Sequence, residues 1–156
     1  MPDETHDEVP GGPAAEPAVD ALDEAECLNL LAGQEIGRIA FTSRYGIAVL
    51  PVNYRLHEGS IVFRTGQGSP MDEDLRTGSA NADYQVAFEV DEISPVTRQG
   101  WSVLIVGPAH HMTTDDERAA AARSGVTPWT GGPKELFMRI RPTRITGRRI
   151  RQPEQP

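Results

Sequence analysis

The stretch Leu50-Pro51-Val52-Asn53-Tyr54, followed by Gly59-Ser60-Ile61-Val62-Phe63-Arg64-Thr65-Gly66-Gln67-Gly68-Ser69, decides the fold of this chain. Two apolar runs flank the turn Leu56-His57-Glu58-Gly59, a pattern typical of a β-hairpin. The second run ends in Arg64 and a glycine-rich bend, which turns without a Cβ penalty. A helix start after the bend would present backbone N–H groups to an anion. On residue chemistry alone, a phosphate site and an ordinary strand end before a capped helix explain this stretch equally well.

Composition limits the function classes that this chain can belong to. With 156 residues, 38% of them hydrophobic, the chain predicts one domain with a core of modest size. A formal net charge of -8 argues against general nucleic-acid binding, which depends on neutralising phosphates. Cys27 is the single cysteine, so an internal disulfide and a cysteine-based metal cluster are both excluded.

Residues 1–19 differ in composition from the rest of the chain. They are rich in proline, glycine, alanine and acidic residues, and such a stretch buries too little apolar surface to offset its ordering entropy. The sequence therefore predicts a disordered acidic tail over 1–19 and a folded domain over 20–152. This acidic start lacks the order of a secretory signal, and no apolar run could span a bilayer, so we expect a cytoplasmic protein.

Three helices are predicted from their end signals. Asp20 is expected to cap a first helix that ends at Gly33. Ser69 is expected to cap a second helix with Pro70 at its first position, ending at Gly78. Thr114 is expected to cap an alanine-rich helix over 115–124.

Short apolar runs between these helices predict about six strands. Pro51 is expected to interrupt the second strand, because proline cannot donate to a β-ladder, and Gly107-Pro108 predicts a bulge in the fifth. About six strands and a few short helices favour a mainly β (α+β) barrel or sandwich. The predicted strands are 35–42, 47–56, 60–65, 84–90, 101–106 with an extension towards Met112, and 135–140 with 144–150, the last two segments forming either one long strand bent at Pro142 or two short strands.

No catalytic or metal-binding arrangement of side chains is evident in the sequence. His110 and His111 are adjacent on a predicted strand, so their side chains should point to opposite faces and cannot chelate one ion. The chain has no Walker loop and no dinucleotide-binding glycine motif, which gives phosphoryl transfer no support.

Seven short blocks, in this order, resemble the pyridoxamine 5′-phosphate oxidase-like family of flavin-binding split β-barrels. Together they extend over about residues 22–151. The blocks are Ile36-Gly37-Arg38-Ile39-Ala40, Pro51-Val52-Asn53-Tyr54, Val62-Phe63-Arg64-Thr65-Gly66, Val86-Ala87-Phe88-Glu89-Val90-Asp91, Gly100-Trp101-Ser102-Val103, Arg139-Ile140-Arg141-Pro142 and Ile145-Thr146-Gly147-Arg148-Arg149-Ile150.

The resemblance implies a six-stranded antiparallel split β-barrel that forms a homodimer, with FMN bound at the interface. It implies an oxidoreductase acting on a small molecule, in which the flavin carries the hydride chemistry. The implied cofactor-binding residues are Pro51, Val52, Asn53 and Tyr54 at the ring, Phe63, Arg64 and Thr65 along the flavin, Gly68 and Ser69 at its phosphate, and Trp101 and Ser102 from the partner subunit.

The sequence departs from the family pattern at the expected phosphate site. The family usually has a lysine after the glycine bend, where this chain has Pro70, followed by Asp72, Glu73 and Asp74. Losing a cation and gaining carboxylates is expected to weaken FMN binding by about 10-fold or more. Two alternatives therefore stay open: a non-catalytic ligand-binding barrel with lost or weakened flavin binding, and a deazaflavin-dependent reductase.

Overall fold

The computed structural model describes residues 12–13, 15–76, 84–128 and 135–154. Within them, three helices and eight strands are formed, and every strand pairing is antiparallel. The helices are α1 (Glu24–Ala32), α2 (Pro70–Asp74) and α3 (Asp115–Arg123). The strands are β1 (Ala18–Leu22), β2 (Ile36–Ser43), β3 (Gly46–His57), β4 (Ser60–Thr65), β5 (Tyr84–Ser94), β6 (Gln99–His111), β7 (Leu136–Ile140) and β8 (Arg144–Arg151).

Six of these strands close into a barrel. The described strands follow the order β6-β5-β2-β3-β4-β7, and β7 pairs back with β6 to complete the ring. Strands β8 and β1 extend the sheet outward from β6. The predicted six-stranded antiparallel split barrel with a few short helices is therefore confirmed.

The barrel splits along β6. One edge of β6 pairs with two different strands, β8 along its first part and β7 along its last part. Gly100–Val106 pairs with β8, and Ala109–His111 pairs with β7. Between these segments the chain passes from β7 to β8 over Gly107, where a Cβ would overlap the carbonyl oxygen of Arg141. Glycine is required here because the two backbones touch.

The core fills the barrel with side chains that alternate along each strand. Tyr54 meets Phe88 edge to face, with ring centroids 5.1 Å apart. Helix α1 covers one side of the core, and the buried Cys27 packs against Gly147 of β8. The inward set includes Ile39, Phe41, Tyr54, Ile61, Phe63, Val86, Phe88, Val90, Val103, Ile105, Met138 and Ile140.

A second, smaller apolar cluster lies between the barrel and α3. Val62 and Met112 supply the barrel side, and Ala121 and Val126 supply the other side, with Phe137 packed beside them. Thr114 caps α3 as predicted, because its hydroxyl accepts from the Glu117 N–H at 3.2 Å. Trp129, which follows α3 in the sequence, lies outside the described residues.

Three local predictions were wrong. Asp23, and not Asp20, caps α1, because it forms a reciprocal capping box with Glu26; residues 18–22 instead pair with β8 as strand β1, which begins inside the predicted tail. Strand β3 runs through Pro51 without interruption. Strands β5 and β6 pair in unbroken register across Gly107 and Pro108, so no bulge forms.

The second helix is shorter than predicted. Ser69 caps it and Pro70 begins it as expected, but α2 ends at Asp74 with Leu75 as the C-cap. The predicted stop at Gly78 lies outside the described residues. Among the helices that the structure describes, none has the length and apolar character needed to cross a membrane.

Candidate functional site

The candidate site is the opening where β3 and β4 separate. Their pairing runs from His57–Ser60 to Tyr54–Phe63 and goes no further. Beyond that point β3 continues along β2 as far as Gly46, while β4 continues along β7. Within the described chain, the edge of β3 from Gly46 to Asn53 thus has a strand neighbour on the β2 side only. The opening is bordered by Pro51–Asn53 on one side and by Arg64 and Thr65 on the other.

The alternation of side chains divides the predicted site residues into two groups. Pro51, Asn53, Arg64 and Ser102 belong to the outward set of their strands, as the cross-strand register shows. The inward set contains Val52, Tyr54, Phe63, Thr65 and Trp101, all of them buried except the half-buried Val52. Side chains of the outward group can meet a ligand on the outer surface, whereas the inward group supports the barrel wall.

Tyr54 shows this support role most clearly. Its side chain is 1% exposed, and its hydroxyl donates to the carbonyl oxygen of Leu31 at 2.6 Å. Burial raises the pKa of the Tyr54 hydroxyl above its usual value. The residue therefore joins α1 to the barrel, and only its backbone belongs to the opening.

The predicted phosphate loop, residues 66–69, is held by bonds within the chain. The Ser69 N–H donates to the Gly66 carbonyl oxygen at 3.1 Å, and the Gly68 N–H donates to Asp72 Oδ2 at 2.7 Å. The Ser69 hydroxyl accepts from the Asp72 N–H and lies 3.0 Å from the Thr65 hydroxyl. The backbone N–H groups of Gly68 and Ser69 thus already have acceptors.

Asp72 is the centre of this network. It is 1% exposed, and its Oδ1 lies 2.8 Å from His111 Nε2 and 2.9 Å from an Arg76 guanidinium nitrogen. Burial acts to raise the pKa of Asp72, but the bonds from Gly68 and His111 and the charge of Arg76 outweigh it and hold the pKa below its usual value. Asp72 is therefore an ionised, internally bound carboxylate.

The two neighbouring carboxylates are also paired. Arg44, in the turn before β3, lies 3.0 Å from Glu73 and 2.8 Å from Asp74. Together with the Asp72 bonds, these contacts fasten α2 to the β2–β3 turn and to the end of β6. The carboxylates that form one acidic cluster in the sequence pair with two different arginines in the fold, Asp72 with Arg76 and the other two with Arg44.

Arg64 leaves β4 on the outer surface beside β7. Its guanidinium carbon lies 4.9 Å from the ring centroid of Phe137, a stacking distance for a cation on an aromatic ring. This position is next to the opening, so Arg64 remains a candidate contact for an anionic or aromatic ligand.

Trp101 and Ser102 lie apart from the other predicted residues. Strands β2 and β5 stand between β3 and β6, so the separation is roughly 14 Å at the usual strand spacing. Trp101 is 8% exposed and packs in the core. Ser102 faces a shallow cavity of about 240 Å³ on the outer surface, which Glu89, Leu104, Thr146, Gly147 and Arg148 also line.

Sequence reasoning missed a charged group at the centre of this outer surface. A guanidinium nitrogen of Arg38 lies 3.6 Å from both Glu89 and Asp91. Burial, followed by the hydrogen bond and the charge of Asp91, raises the pKa of Glu89 to about 7, although Arg38 acts in the opposite direction. The alternation of Ala87, Glu89 and Asp91 with Val86, Phe88 and Val90 was the available signal, because it puts both carboxylates on the outward face.

The histidines form separate contacts, as their adjacency predicted. His111 bonds to Asp72, whereas His110 Nε2 lies 2.7 Å from Glu117 Oε2 at the start of α3. Within the described ranges, no group of three or more histidine, cysteine or acidic side chains is placed to hold a metal ion.

Comparison with known proteins agrees with this architecture. The family described as Pyridoxamine 5′-phosphate oxidase matches residues 23–149. The chain belongs to this family. It is 34% identical over 129 residues to an uncharacterized protein of Mycobacterium tuberculosis, covering 83% of this chain and 84% of that protein.

Solved structures share the fold over nearly their whole length. The FAD-binding protein from Mycobacterium smegmatis is 30% identical, with a TM-score of 0.69, covering 85% of this chain and 98% of the other. A FAD-binding protein from Mesorhizobium loti has a TM-score of 0.69 at 20% identity, covering 87% and 99% of the two chains. The second similarity supports the fold alone.

The residues of the opening fit the ring system of a flavin better than its phosphate. The backbone edge of Pro51–Asn53 and the outward side chains of Asn53 and Arg64 offer a polar border beside an apolar surface. The loop 66–69 does not fit an added phosphate equally well, because Asp72 occupies the Gly68 N–H.

Proposed function

We propose that the protein is a flavin-dependent oxidoreductase that acts on a small molecule at the opening between β3 and β4. The observation that carries this proposal is the opening between β3 and β4, where the β3 edge around Pro51 has no second strand neighbour within the described residues, in a family member that is 30% identical to a FAD-binding protein over 85% of its length. A strand edge without a second neighbour can form hydrogen bonds to the polar rim of a flat ring system. At Pro51, which lacks a backbone N–H, the group for this is the carbonyl oxygen.

Each outward residue has a defined part in this proposal. Pro51 and Asn53 line one side of the ring, and Arg64 lies along the chain that leaves the ring. When bound, the flavin supplies the hydride chemistry. The protein binds and orients the ring and excludes water from it, and FMN is the form of flavin that the family resemblance implies.

We further propose that the site is completed by a second copy of the chain. The outer surface exposes Ile47, Val49 and Leu104, with exposed fractions of 83%, 58% and 42%. These side chains lie on the same sheet face as Pro51 and Ser102. In a symmetric homodimer built on this face, the Ser102 surface of one protomer can approach the β3 edge of its partner.

A non-catalytic ligand-binding barrel is the second candidate, and a specific observation favours it. The N–H groups of Gly68 and Ser69 are already bonded within the chain, which removes donors expected for a cofactor phosphate. In this second candidate the same opening would take a small organic ligand without redox chemistry. Deazaflavin would occupy the same opening as flavin and is distinguished from it by its spectrum.

The decisive experiment is a spectrum of the as-purified protein, followed by mass spectrometry of any compound released on denaturation. The oxidoreductase proposal expects a flavin band, or flavin uptake by the colourless protein with quenching of flavin fluorescence. Asn53→Ala should weaken riboflavin binding by about 10-fold, because a contact at the ring is lost. Asn29→Ala, on the exposed face of α1, is the matched control and should leave the dissociation constant unchanged.

The outcomes separate the candidates. Colourless protein that takes up neither flavin nor deazaflavin would contradict the oxidoreductase proposal and leave the ligand-binding barrel. Flavin uptake without reduction by a nicotinamide donor or oxidation of any tested small substrate would favour a flavin-carrying protein without catalysis. Size-exclusion chromatography with light scattering tests the homodimer separately.

A further inference from the structure

We propose that Asp72 is an internal anion that takes the place of a phosphate group at the loop 66–69. The flavin of the proposed function, on which this inference rests, is then held through its ring and ribityl chain, and a terminal phosphate adds no affinity at this loop. Asp72 is thereby a residue that determines cofactor specificity.

The first argument is that backbone N–H groups of the loop 66–69 already donate hydrogen bonds within the chain. An anion at a glycine bend is held by backbone N–H groups, and each N–H has one hydrogen to donate. The Gly68 N–H donates to Asp72 at 2.7 Å, and the Ser69 N–H donates to Gly66 at 3.1 Å. Pro70, the next residue, has no backbone N–H. A phosphate that used the Gly68 or Ser69 N–H would have to displace a bond that the chain already makes.

The second argument is that the Asp72 carboxylate is firmly held. It is 1% exposed, and it bonds through both oxygens: Oδ2 to Gly68, and Oδ1 to His111 and Arg76. A buried carboxylate that loses a partner is left with an uncompensated charge, which is costly. The loop therefore retains Asp72 in preference to an incoming phosphate.

The third argument is local charge. The side chains nearest to the α2 carboxylates already contact them, because Arg76 and His111 face Asp72 while Arg44 faces Glu73 and Asp74. A phosphate brought to the loop would add negative charge beside an ionised carboxylate, and like charges repel most strongly where water is excluded. The Gly68 and Ser69 N–H groups and the Arg76 and Arg44 side chains therefore already have partners within the chain.

The experiment measures dissociation constants of the full-length protein for riboflavin and for FMN, by quenching of flavin fluorescence. In the natural protein the two constants should agree within about 3-fold, because the phosphate gains no loop contact. Asp72→Asn removes the charge, and Asp72→Ala also frees the Gly68 N–H. We expect each to raise the preference for FMN over riboflavin by about 10-fold, the effect of one charge-assisted bond.

Glu73→Gln is the matched control. It removes the same unit charge from the same helix, but Glu73 pairs with Arg44 and makes no bond to the loop. The FMN preference should stay unchanged in this variant. Thermal unfolding of each variant checks that the fold is intact, and the comparison in the natural protein does not depend on any substitution.

Each outcome gives a definite answer. FMN binding that is more than about 3-fold tighter than riboflavin binding in the natural protein overturns the inference while the proposed function stands. If the FMN preference rises equally in Glu73→Gln and Asp72→Asn, the effect comes from the net charge of α2 and not from the Asp72 bond to the loop. This result also overturns the inference. Binding of neither flavin overturns the proposed function and this inference together.

Discussion

Tyr54 belongs to the predicted site by sequence and to the core by structure. Its backbone lies at the last β3–β4 pair, whereas its hydroxyl reaches back to Leu31 in α1 at 2.6 Å. A buried hydroxyl requires a partner, since leaving it unbonded costs free energy. The residue thus connects the helix to the barrel beneath the candidate site.

Tyr54→Phe should lower the free energy of unfolding by about 1 kcal/mol, because one buried hydrogen bond is lost while the ring remains packed. Riboflavin binding should be unaffected. Denaturant unfolding and a fluorescence titration measure the two quantities. Tyr45→Phe is the control, because Tyr45 is 91% exposed in the β2–β3 turn and a surface change of this kind stays within about 0.5 kcal/mol. A large loss of flavin affinity in Tyr54→Phe would show that the Tyr54 hydroxyl contributes to flavin binding, contrary to its assignment to the core.

At the scale of single residues, the sequence showed which residues are adjacent in the chain but not which partners their side chains contact. Asp72, Glu73 and Asp74 are consecutive, and the sequence indicated one acidic cluster. Arg76 and Gly68 are local partners of Asp72. The other partners, His111 and Arg44, are 39 and 29–30 positions away, and only the fold brings them close. The roles of Phe63 and Trp101 as buried packing residues were hidden for the same reason, since a strand pattern does not reveal which face is covered.

At the scale of elements, the short connection between β7 and β8, residues 141–143, depends on Gly107 of β6. We call this connection the joint. There the β6 backbone meets the chain that turns from one strand to the next, and the Thr143 N–H donates to the Val106 carbonyl oxygen at 2.9 Å. The Thr143 hydroxyl bonds to the same oxygen at 3.0 Å. The joint determines where β6 exchanges one neighbour for the other, and therefore where the barrel splits.

Gly107→Ala should destabilise the protein by about 2–3 kcal/mol, because the added methyl group would overlap the Arg141 carbonyl and force the joint apart. Denaturant unfolding measures the loss. Gly33→Ala is the matched control, since its Cβ would meet only the Leu30 oxygen at an ordinary 3.6 Å. Equal stability of the two variants would show that β6 and the joint can separate without cost.

Local chemistry predicted some element boundaries and not others. The caps Ser69 and Thr114 and the stop at Gly33 were correctly predicted, because each depends on residues within one helical turn. The start of α1 was missed because Asp20 and Asp23 are both good caps, and the pairing of β1 with β8, about 130 residues away in the chain, determines which one is used. Pro51 was expected to break β3, but its strand has a neighbour on the β2 side only, so the missing N–H is tolerated.

At the scale of the whole molecule, barrel closure depends on pairs that no local pattern specifies. Strand β4 pairs with β7, and β7 pairs with β6. The sequence alone allowed a barrel or a sandwich, and only the family resemblance selected the split barrel. Closure leaves one broad outer face across β3, β2, β5, β6 and β8, where exposed apolar side chains surround Arg38, Glu89 and Asp91.

Glu89, on this outer face, makes the free energy of unfolding of the protein depend on pH. Its pKa is about 7 in the folded protein, against an ordinary 4.5, so the folded state holds a proton that the unfolded state releases. Between these two values stability therefore falls as pH rises. Below the lower value Glu89 is protonated in both states and contributes no penalty.

Glu89→Gln should therefore stabilise the protein by about 1 kcal/mol at about pH 8, after allowance for the partial exposure of the side chain, and should change little at about pH 4. Guanidinium unfolding at both pH values measures the difference. Glu92→Gln, an exposed position on the same strand, is the control and should show no such pH-dependent gain. If Glu89→Gln has the same effect at both pH values, the proton is not held at Glu89.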